Sequence, residues 1–363
     1  MRTDFPTNYA SILERINQID PLAYGKSRNF LNGAVTYLSP YVSRGVISTR
    51  QILDAVLAKG YKVREIESFV KELCWRDYFQ RVGQYKDLSV DIRFPQEGIE
   101  NHGIPTSVLQ GQTGIEAIDQ AIQGLYTTGY MHNHARMYTA SIVCNIAKSY
   151  WKNPSQWLYY HLLDGDWASN ACSWQWVAAA NSNKKYFANQ ENINKYSNTN
   201  QRGTFLDESY EELATMDVPK VLYATEVFQL DTSLPQMRGI EVKTNLPTFI
   251  YNYYNLDPLW HQHEEGNRIL LFEPDFFKQY PVSEKCIDFV LGLSQNIPNI
   301  QVYVASFQSL INHCGKSQIH FKEHPLNKHY MGTEESRYWI SPEVDGYFPS
   351  FFGYWKQVER YIE

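Results

Sequence analysis

The chain has 363 residues, 43% hydrophobic and 20% charged, with no long low-complexity run, so it suits two ordinary domains and excludes global disorder. The net charge of −6 is uneven: residues 1–205 carry 21 Lys and Arg against 17 Asp and Glu (+4), and residues 206–363 carry 12 against 22 (−10). The second part would repel a polyanion, whereas the first can offer it a local basic patch. Five cysteines, Cys74, Cys144, Cys172, Cys286 and Cys314, are odd in number and widely spaced, which suggests neither a disulfide framework nor a zinc site. The opening MRTDFPTNYASILERI lacks an apolar signal core, and no run reaches the ~18 apolar residues of a membrane span. A cytoplasmic protein without membrane contact is expected.

In chain order, residues 10–19 have helical spacing. Ser39 before Pro40 predicts an N-cap with proline at the first helical position. Ser48-Thr49-Arg50-Gln51 predicts a capping box, with Ile52, Val56 and Leu57 on one face and Gly60 as the stop. The next helix, EIESFVKELCWRDYFQRVGQY, carries Phe69, Leu73, Cys74 and Tyr78 as an apolar stripe. Residues 86–110 read as a loop punctuated by Pro95, Gly98, Gly103 and Pro105. Helices are expected at 113–127, 131–152 and 156–163, followed by an irregular Asn- and Lys-rich stretch at 181–202. Beyond about residue 205, RILLFEP (268–274), a helical VSEKCIDFVLGLSQ, IQVYVASF (300–307) and SQIHFKEHP (317–325) alternate as strand, helix, strand, strand. That order predicts a small α/β unit with a partly parallel sheet. No phosphate-binding glycine motif accompanies it.

Four clusters carry candidate chemistry. Glu72, Trp75 and Arg76 share a helix face, where they would grip a planar ligand or form an ordinary surface pair. In Gly129–Met137, Asn133 and Met137 share a face beside Arg136, while His132 and His134 are poorly spaced for a helical metal site. Asp164-Gly165-Asp166 presents two carboxylates on a tight turn, one of them able to pair with Arg136. Asn170, Trp174 and Trp176, with Trp151 upstream, are either core filling or an aromatic path; spacing does not choose.

Taken together, LSPYVSRGVIS, ELCWRDYF, TGIEAIDQAIQGLYTTGYMHNHARM and LLDGDWASNACSWQW resemble the photolyase/cryptochrome family over roughly residues 20–180. The resemblance implies a mainly α fold: an all-helical FAD-binding domain at 1–205, with a smaller acidic α/β domain at 206–363. The chain is then a short form that starts directly at the helical domain, without the family's N-terminal antenna-binding domain. By the same resemblance, Tyr24, Thr36, Leu38 and Ser39 contact the phosphate and sugar side of FAD, and Arg76 belongs to the cofactor set. Arg136 and Asp164 form an ion pair against the isoalloxazine. Asp166 accepts from the flavin imide, and Asn170 faces N5. Glu72, Trp75, Asn133, His134, Met137 and Trp176 line the pocket for a flipped pyrimidine dimer.

The family usually passes electrons to its flavin along three tryptophans. Trp174 and Trp151 match the first two, the third is missing from the 95–105 loop, and a tyrosine or Trp157 is the candidate substitute. Asn133, where (6-4) enzymes usually have His, points to the cyclobutane dimer. The 181–197 segment resembles an iron–sulfur subgroup whose cluster cysteines are absent, so neither a cluster nor another metal is expected. The expected activity is blue-light repair of cyclobutane pyrimidine dimers in damaged DNA, single strands included. The alternatives are a photoreceptor signalling through the acidic C-terminal part and a redox-silent FAD-binding scaffold. An antenna pigment is left open.

Overall fold

The computed structural model describes residues 4–227, 229–315 and 317–362. They form two compact units interleaved along the chain. One comprises Asp4, Ala23–Val35 and Lys86–Leu230; the other comprises Phe5–Leu22, Thr36–Tyr85 and the chain from Asp231 onward. The division expected at 205/206 therefore does not separate them. Its omission has a physical cause: contacts between the N-terminal helices and residues more than 250 positions later leave no mark on local periodicity. Asn296 Nδ2 donates to Thr7 O at 2.6 Å, and Ile340 N donates to the buried Asp77 carboxylate at 2.8 Å.

The first unit is helical apart from a two-residue strand pair, Ile104–Pro105 with Thr225–Glu226. Helix Glu116–Thr128 buries Ala117, Ile118, Ile122 and Leu125 along one stripe and stops at Gly129, whose φ is +72°. A Cβ on Gly129 would lie 2.7 Å from Leu163 Cγ, and Leu163 N donates to Gly129 O at 2.8 Å. Glycine thus lets the loop carrying Asp164 close on the turn that leads into helix Asn133–Ser141. The single helix expected over 131–152 is broken. After Ser141 the chain makes a five-residue π turn, Ile142–Ile146, and a new helix runs Lys152–His161 with Pro154 in its first turn. Asn145 Nδ2 holds the break by donating to Val177 O and Tyr186 O at 3.0 and 2.7 Å. Helices Trp167–Val177 and Gln190–Ser197 follow.

The second unit joins helices Tyr9–Asn17, Ser39–Ser43, Thr49–Leu57 and Glu67–Tyr85 to an all-parallel five-stranded sheet. The strands lie in the order 300–304, 267–272, 248–251, 319–322, 333–335. The first strand in sequence is central and the chain winds outward on one side before crossing to the other, a doubly wound arrangement. Strand Asn267–Phe272 is buried at every position, as a strand covered on both faces should be. Its neighbour Thr248–Tyr251 was too short to stand out, and Thr333–Glu335 is too polar. Helices Glu284–Ser294, Phe307–Cys314 and Phe351–Val358 complete the C-terminal part, the last packing on helix Glu67–Tyr85.

Local caps divide into one correct and one incorrect expectation. Ser48 caps its helix, accepting from Gln51 N at 3.0 Å, while Gln51 Nε2 donates to Tyr9 OH and the reciprocal arm of the box does not form. Ser39 is not an N-cap. It is the first residue of a five-residue helix whose cap is Leu38, an apolar side chain that cannot accept a hydrogen bond. All five cysteines are buried free thiols. Among the described residues, no helix is long and apolar enough to cross a membrane.

Candidate functional site

The first unit brings Arg136, Asp164, Asp166 and Asn170 onto three neighbouring elements. Arg136 sits one turn into helix Asn133–Ser141, with its Nε donating to Met131 O at 2.7 Å. Its Nη2 reaches Asp164 Oδ2 at 2.9 Å and Oδ1 at 3.0 Å. The Asp164 side chain is 5% exposed and that of Arg136 22%, so the pair is largely withdrawn from water. A charge pair in that setting must be closely hydrogen bonded to offset the loss of hydration. The Tyr130 ring lies 5.6 Å from the guanidinium carbon.

Asp166 is the N-cap of helix Trp167–Val177, its Oδ1 accepting from Ser169 N at 2.8 Å. Asn170, on the next turn, donates from Nδ2 to Ser155 O at 2.8 Å and is half-buried. That bond uses one of the two amide donors and orients the side chain.

His132 caps helix Asn133–Ser141 through Nδ1, which accepts from His134 N at 3.1 Å. Burial, then the charges of His134 and Arg136, hold its pKa down at about 4. A neutral ring is what a cap acceptor requires. His134 is likewise lowered, first by burial and then by Arg28, and packs against the rings of Tyr138 and Tyr196 at 5.5 and 5.1 Å. On the same helix, Asn133 Nδ2 lies 4.0 Å from Met137 Sδ, so the two do share a face. Trp176 is 41% exposed and tilted against Tyr186 at 5.5 Å.

Trp174 and Trp151 are buried. The 86–105 loop lacks a tryptophan but supplies polar groups around Trp151. Trp151 Nε1 donates to Asp91 Oδ1 at 2.6 Å, and its backbone N donates to Gln96 Oε1 at 3.0 Å. Tyr150 is the adjoining ring, 5.8 Å from Trp151, and its hydroxyl donates to the same Asp91 oxygen at 2.9 Å. Burial and the Asp91 carboxylate raise the Tyr150 phenol to about 12. Asp91 went unnoticed in the sequence because its partners lie some 60 positions away. Trp157 is buried, with Tyr126 and His161 as ring neighbours at 6.3 Å.

Thr36, Leu38, Ser39, Glu72, Trp75 and Arg76 belong to the second unit; Tyr24 belongs to the first. Leu38 is buried, and Glu72, Trp75 and Arg76 are half-buried on helix Glu67–Tyr85. Trp75 is stacked on Phe351 with ring centroids 3.8 Å apart.

The site thus gathers an arginine, two aspartates and an amide on neighbouring turns. The family described as the FAD binding domain of DNA photolyase matches residues 69–256, just over half of the chain. The chain belongs to that family, and its cofactor is FAD.

A deoxyribodipyrimidine photo-lyase of Synechococcus is 33% identical over 178 residues, covering 45% of this chain and 36% of the relative. One from Alkalihalophilus pseudofirmus is 30% identical over 176 residues, covering 47% and 36%. A Synechocystis protein named cryptochrome DASH is 26% identical over 247 residues, covering 64% and 49%. The chain thus spans between about a third and a half of the length of these relatives. Among solved structures, a Synechocystis cryptochrome matches with a TM-score of 0.44 at 22% identity, covering 60% of this chain and 48% of that one.

Proposed function

We propose that this chain binds reduced FAD and uses blue light to split cyclobutane pyrimidine dimers in DNA. The observation that carries the reading is the closed Arg136–Asp164 pair beside Asp166 and Asn170, in a chain of the photolyase FAD-binding family. Reduced FAD, held there, would supply light absorption and one electron for opening the two bonds that join the bases of the dimer. The chain's own task is binding, orientation and charge. Arg136 and Asp164 hold the planar ring system without adding net charge. Asp166 offers a carboxylate acceptor to the imide. Asn170 places a neutral amide where a carboxylate would disfavour a reduced, negatively charged ring.

Asn133, His134, Met137 and Trp176 are the proposed contacts for the flipped dimer on this unit. Extrusion costs a few kcal/mol and is cheapest for a damaged base; stacking on an aromatic side chain such as Trp176 returns about 1–3 kcal/mol. The proposed roles of Glu72, Trp75 and Arg76, and of Tyr24, Thr36, Leu38 and Ser39 toward the phosphates, rest on the resemblance alone.

Electrons for reducing the cofactor are proposed to start at Tyr150 and to pass inward through Trp151 and Trp174. At that outer end oxidised Trp151 takes one electron from Tyr150, and the phenolic proton moves to the Asp91 carboxylate, 2.9 Å away. Proton and electron then leave tyrosine together, which a raised phenol pKa otherwise opposes.

Light reception is the second reading, favoured by the 64% of the chain that aligns with the relative named cryptochrome DASH. Illuminating the reduced holoprotein with a dimer-containing single-stranded oligonucleotide separates the two. Repair predicts loss of dimers, and reception predicts photoreduction with dimers intact.

A further inference from the structure

We propose that His261, His320 and Glu335, in the second unit, bind a divalent transition-metal ion of the zinc class. This inference is independent of the flavin reading.

Three residues far apart in sequence are brought together by the sheet. His320 is on strand Ile319–Lys322 and Glu335 on the adjoining strand Thr333–Glu335, in a parallel register that pairs His320 with Thr333 and Lys322 with Glu335. His261 comes from the connection between strands Thr248–Tyr251 and Asn267–Phe272. His261 Nε2 lies 2.8 Å from Glu335 Oε1, and His320 Nδ1 lies 3.1 Å from the same oxygen. All three ligand atoms fall within 4.8 Å of one another. Two imidazoles and one carboxylate are a donor set suited to zinc and to other first-row divalent ions. Zinc bonds of about 2.0–2.1 Å separate tetrahedral ligands by roughly 3.4 Å. Seating the ion therefore needs the two histidine nitrogens to draw back from Glu335 Oε1 by roughly 0.6 and 0.3 Å.

The surroundings fix the ligands rather than merely collecting them. His261 Nδ1 faces Glu264 Oε1 at 2.6 Å. With the proton on Nδ1, that carboxylate orients the ring and directs the Nε2 lone pair at the other two ligands, an arrangement typical of metal-bound histidine. The ring of His261 is stacked on Phe249, 4.2 Å between centroids and 14° from parallel. Phe249 keeps its place because residue 266 is glycine; a Cβ there would fall on the phenyl ring. Glu335 Oε2 is held separately by Trp260 Nε1 at 2.8 Å, leaving Oε1 to the two histidines.

His261 itself has φ +49°, a conformation rare outside glycine. Arg268 secures its loop by donating to His261 O and Glu264 O. The nearby Lys322 is neutralised by Asp257 at 2.7 Å. Glu335 and Glu264 together balance a dication. The side chains of His261, His320 and Glu335 are 16, 20 and 29% exposed, so water or a ligand can complete the coordination.

The test is calorimetric titration of the purified full chain, stripped of metal with a chelator, against zinc chloride. One saturating equivalent per chain is expected, and cobalt(II) at the same site should give the intense visible bands of a four- or five-coordinate ion. His320→Ala and Glu335→Gln should each weaken zinc binding more than tenfold. Glu264→Gln, at an exposed position, should weaken it about 10–100-fold. His313→Ala, on another helix of the same unit, should leave it unchanged. Wild-type protein that takes up no saturating equivalent overturns the proposal without recourse to variants. So does wild-type affinity in His320→Ala and Glu335→Gln, or an equal loss in His313→Ala.

Discussion

Trp75 and Phe351 are stacked nearly parallel, 9° apart with ring centroids 3.8 Å from one another. Phe351 opens the C-terminal helix, so residues 276 positions apart share one aromatic face. Tyr78 meets both rings edge-on, at 5.6 Å from Trp75 and 5.9 Å from Phe351. Trp75 therefore has one face occupied within its own unit. Phe351 is 3% exposed. Phe351→Ala should lower stability by about 3 kcal/mol, from lost burial plus a cavity, and red-shift tryptophan fluorescence. Urea unfolding checks this; a change below 1 kcal/mol would mean that the stack does not anchor the helix.

The Arg136–Asp164 pair lends itself to a variant that keeps shape and removes charge. Asp164→Asn leaves a largely buried guanidinium without its anion, which should cost about 1–3 kcal/mol after allowance for the part-exposed Arg136. The purified variant should also carry less FAD than wild type, measured by absorbance after denaturation. Equal flavin content in the folded variant would remove the pair from the cofactor site.

Tyr150→Phe keeps the ring beside Trp151 but removes the hydroxyl that donates to Asp91. Photoreduction under blue light with an external reductant should slow at least tenfold, and Asp91→Asn should slow it too. Trp151→Phe should nearly abolish it. Wild-type rates in Tyr150→Phe would move the outer end of the path elsewhere, with Trp157 next in line.

His132 gives the first unit a pH dependence of definite sign. Its pKa is lowered from 6.5 to about 4, chiefly by burial. Between those values the unfolded chain binds a proton that the folded chain does not, so stability rises with pH and is lost as pH falls below about 6.5. The shift corresponds to a loss of roughly 2 kcal/mol by pH 5. His132→Asn retains a side-chain acceptor at the cap and removes the titration. Its urea midpoint should vary less between pH 7 and pH 5 than that of wild type; an identical dependence would assign the effect to other groups.

The helical stretch around the site was legible because its signals are local. The 116–128 helix shows its buried stripe and its glycine stop within 14 residues, and the Asp-Gly-Asp turn shows in the sequence as two carboxylates at one bend. Ser48 announced its cap for the same reason. Ser39 misled because Ser-Pro is an equally good signal one residue later than the true cap, Leu38. The five-strand sheet was half visible: Asn267–Phe272 stands out as an apolar run, whereas Thr333–Glu335 becomes a strand only by pairing with Ile319–Lys322. The convergence of His261, His320 and Glu335 depends on that same pairing, and no spacing rule reaches across it. The interleaving of the units, with helix Glu67–Tyr85 held by Ile340, Asp345 and Phe351, is likewise a product of tertiary contact.

The most direct measurement of the central claim is dimer repair by the flavin-loaded protein. Holoprotein photoreduced in blue light is mixed with an oligonucleotide containing one cyclobutane thymine dimer, illuminated, and the dimers remaining are counted by chromatography against a dark control. The account predicts light-dependent loss of dimers with many turnovers per chain, and loss of that activity in Asp164→Asn protein in proportion to its missing FAD. Full FAD occupancy and complete photoreduction with every dimer intact would contradict it.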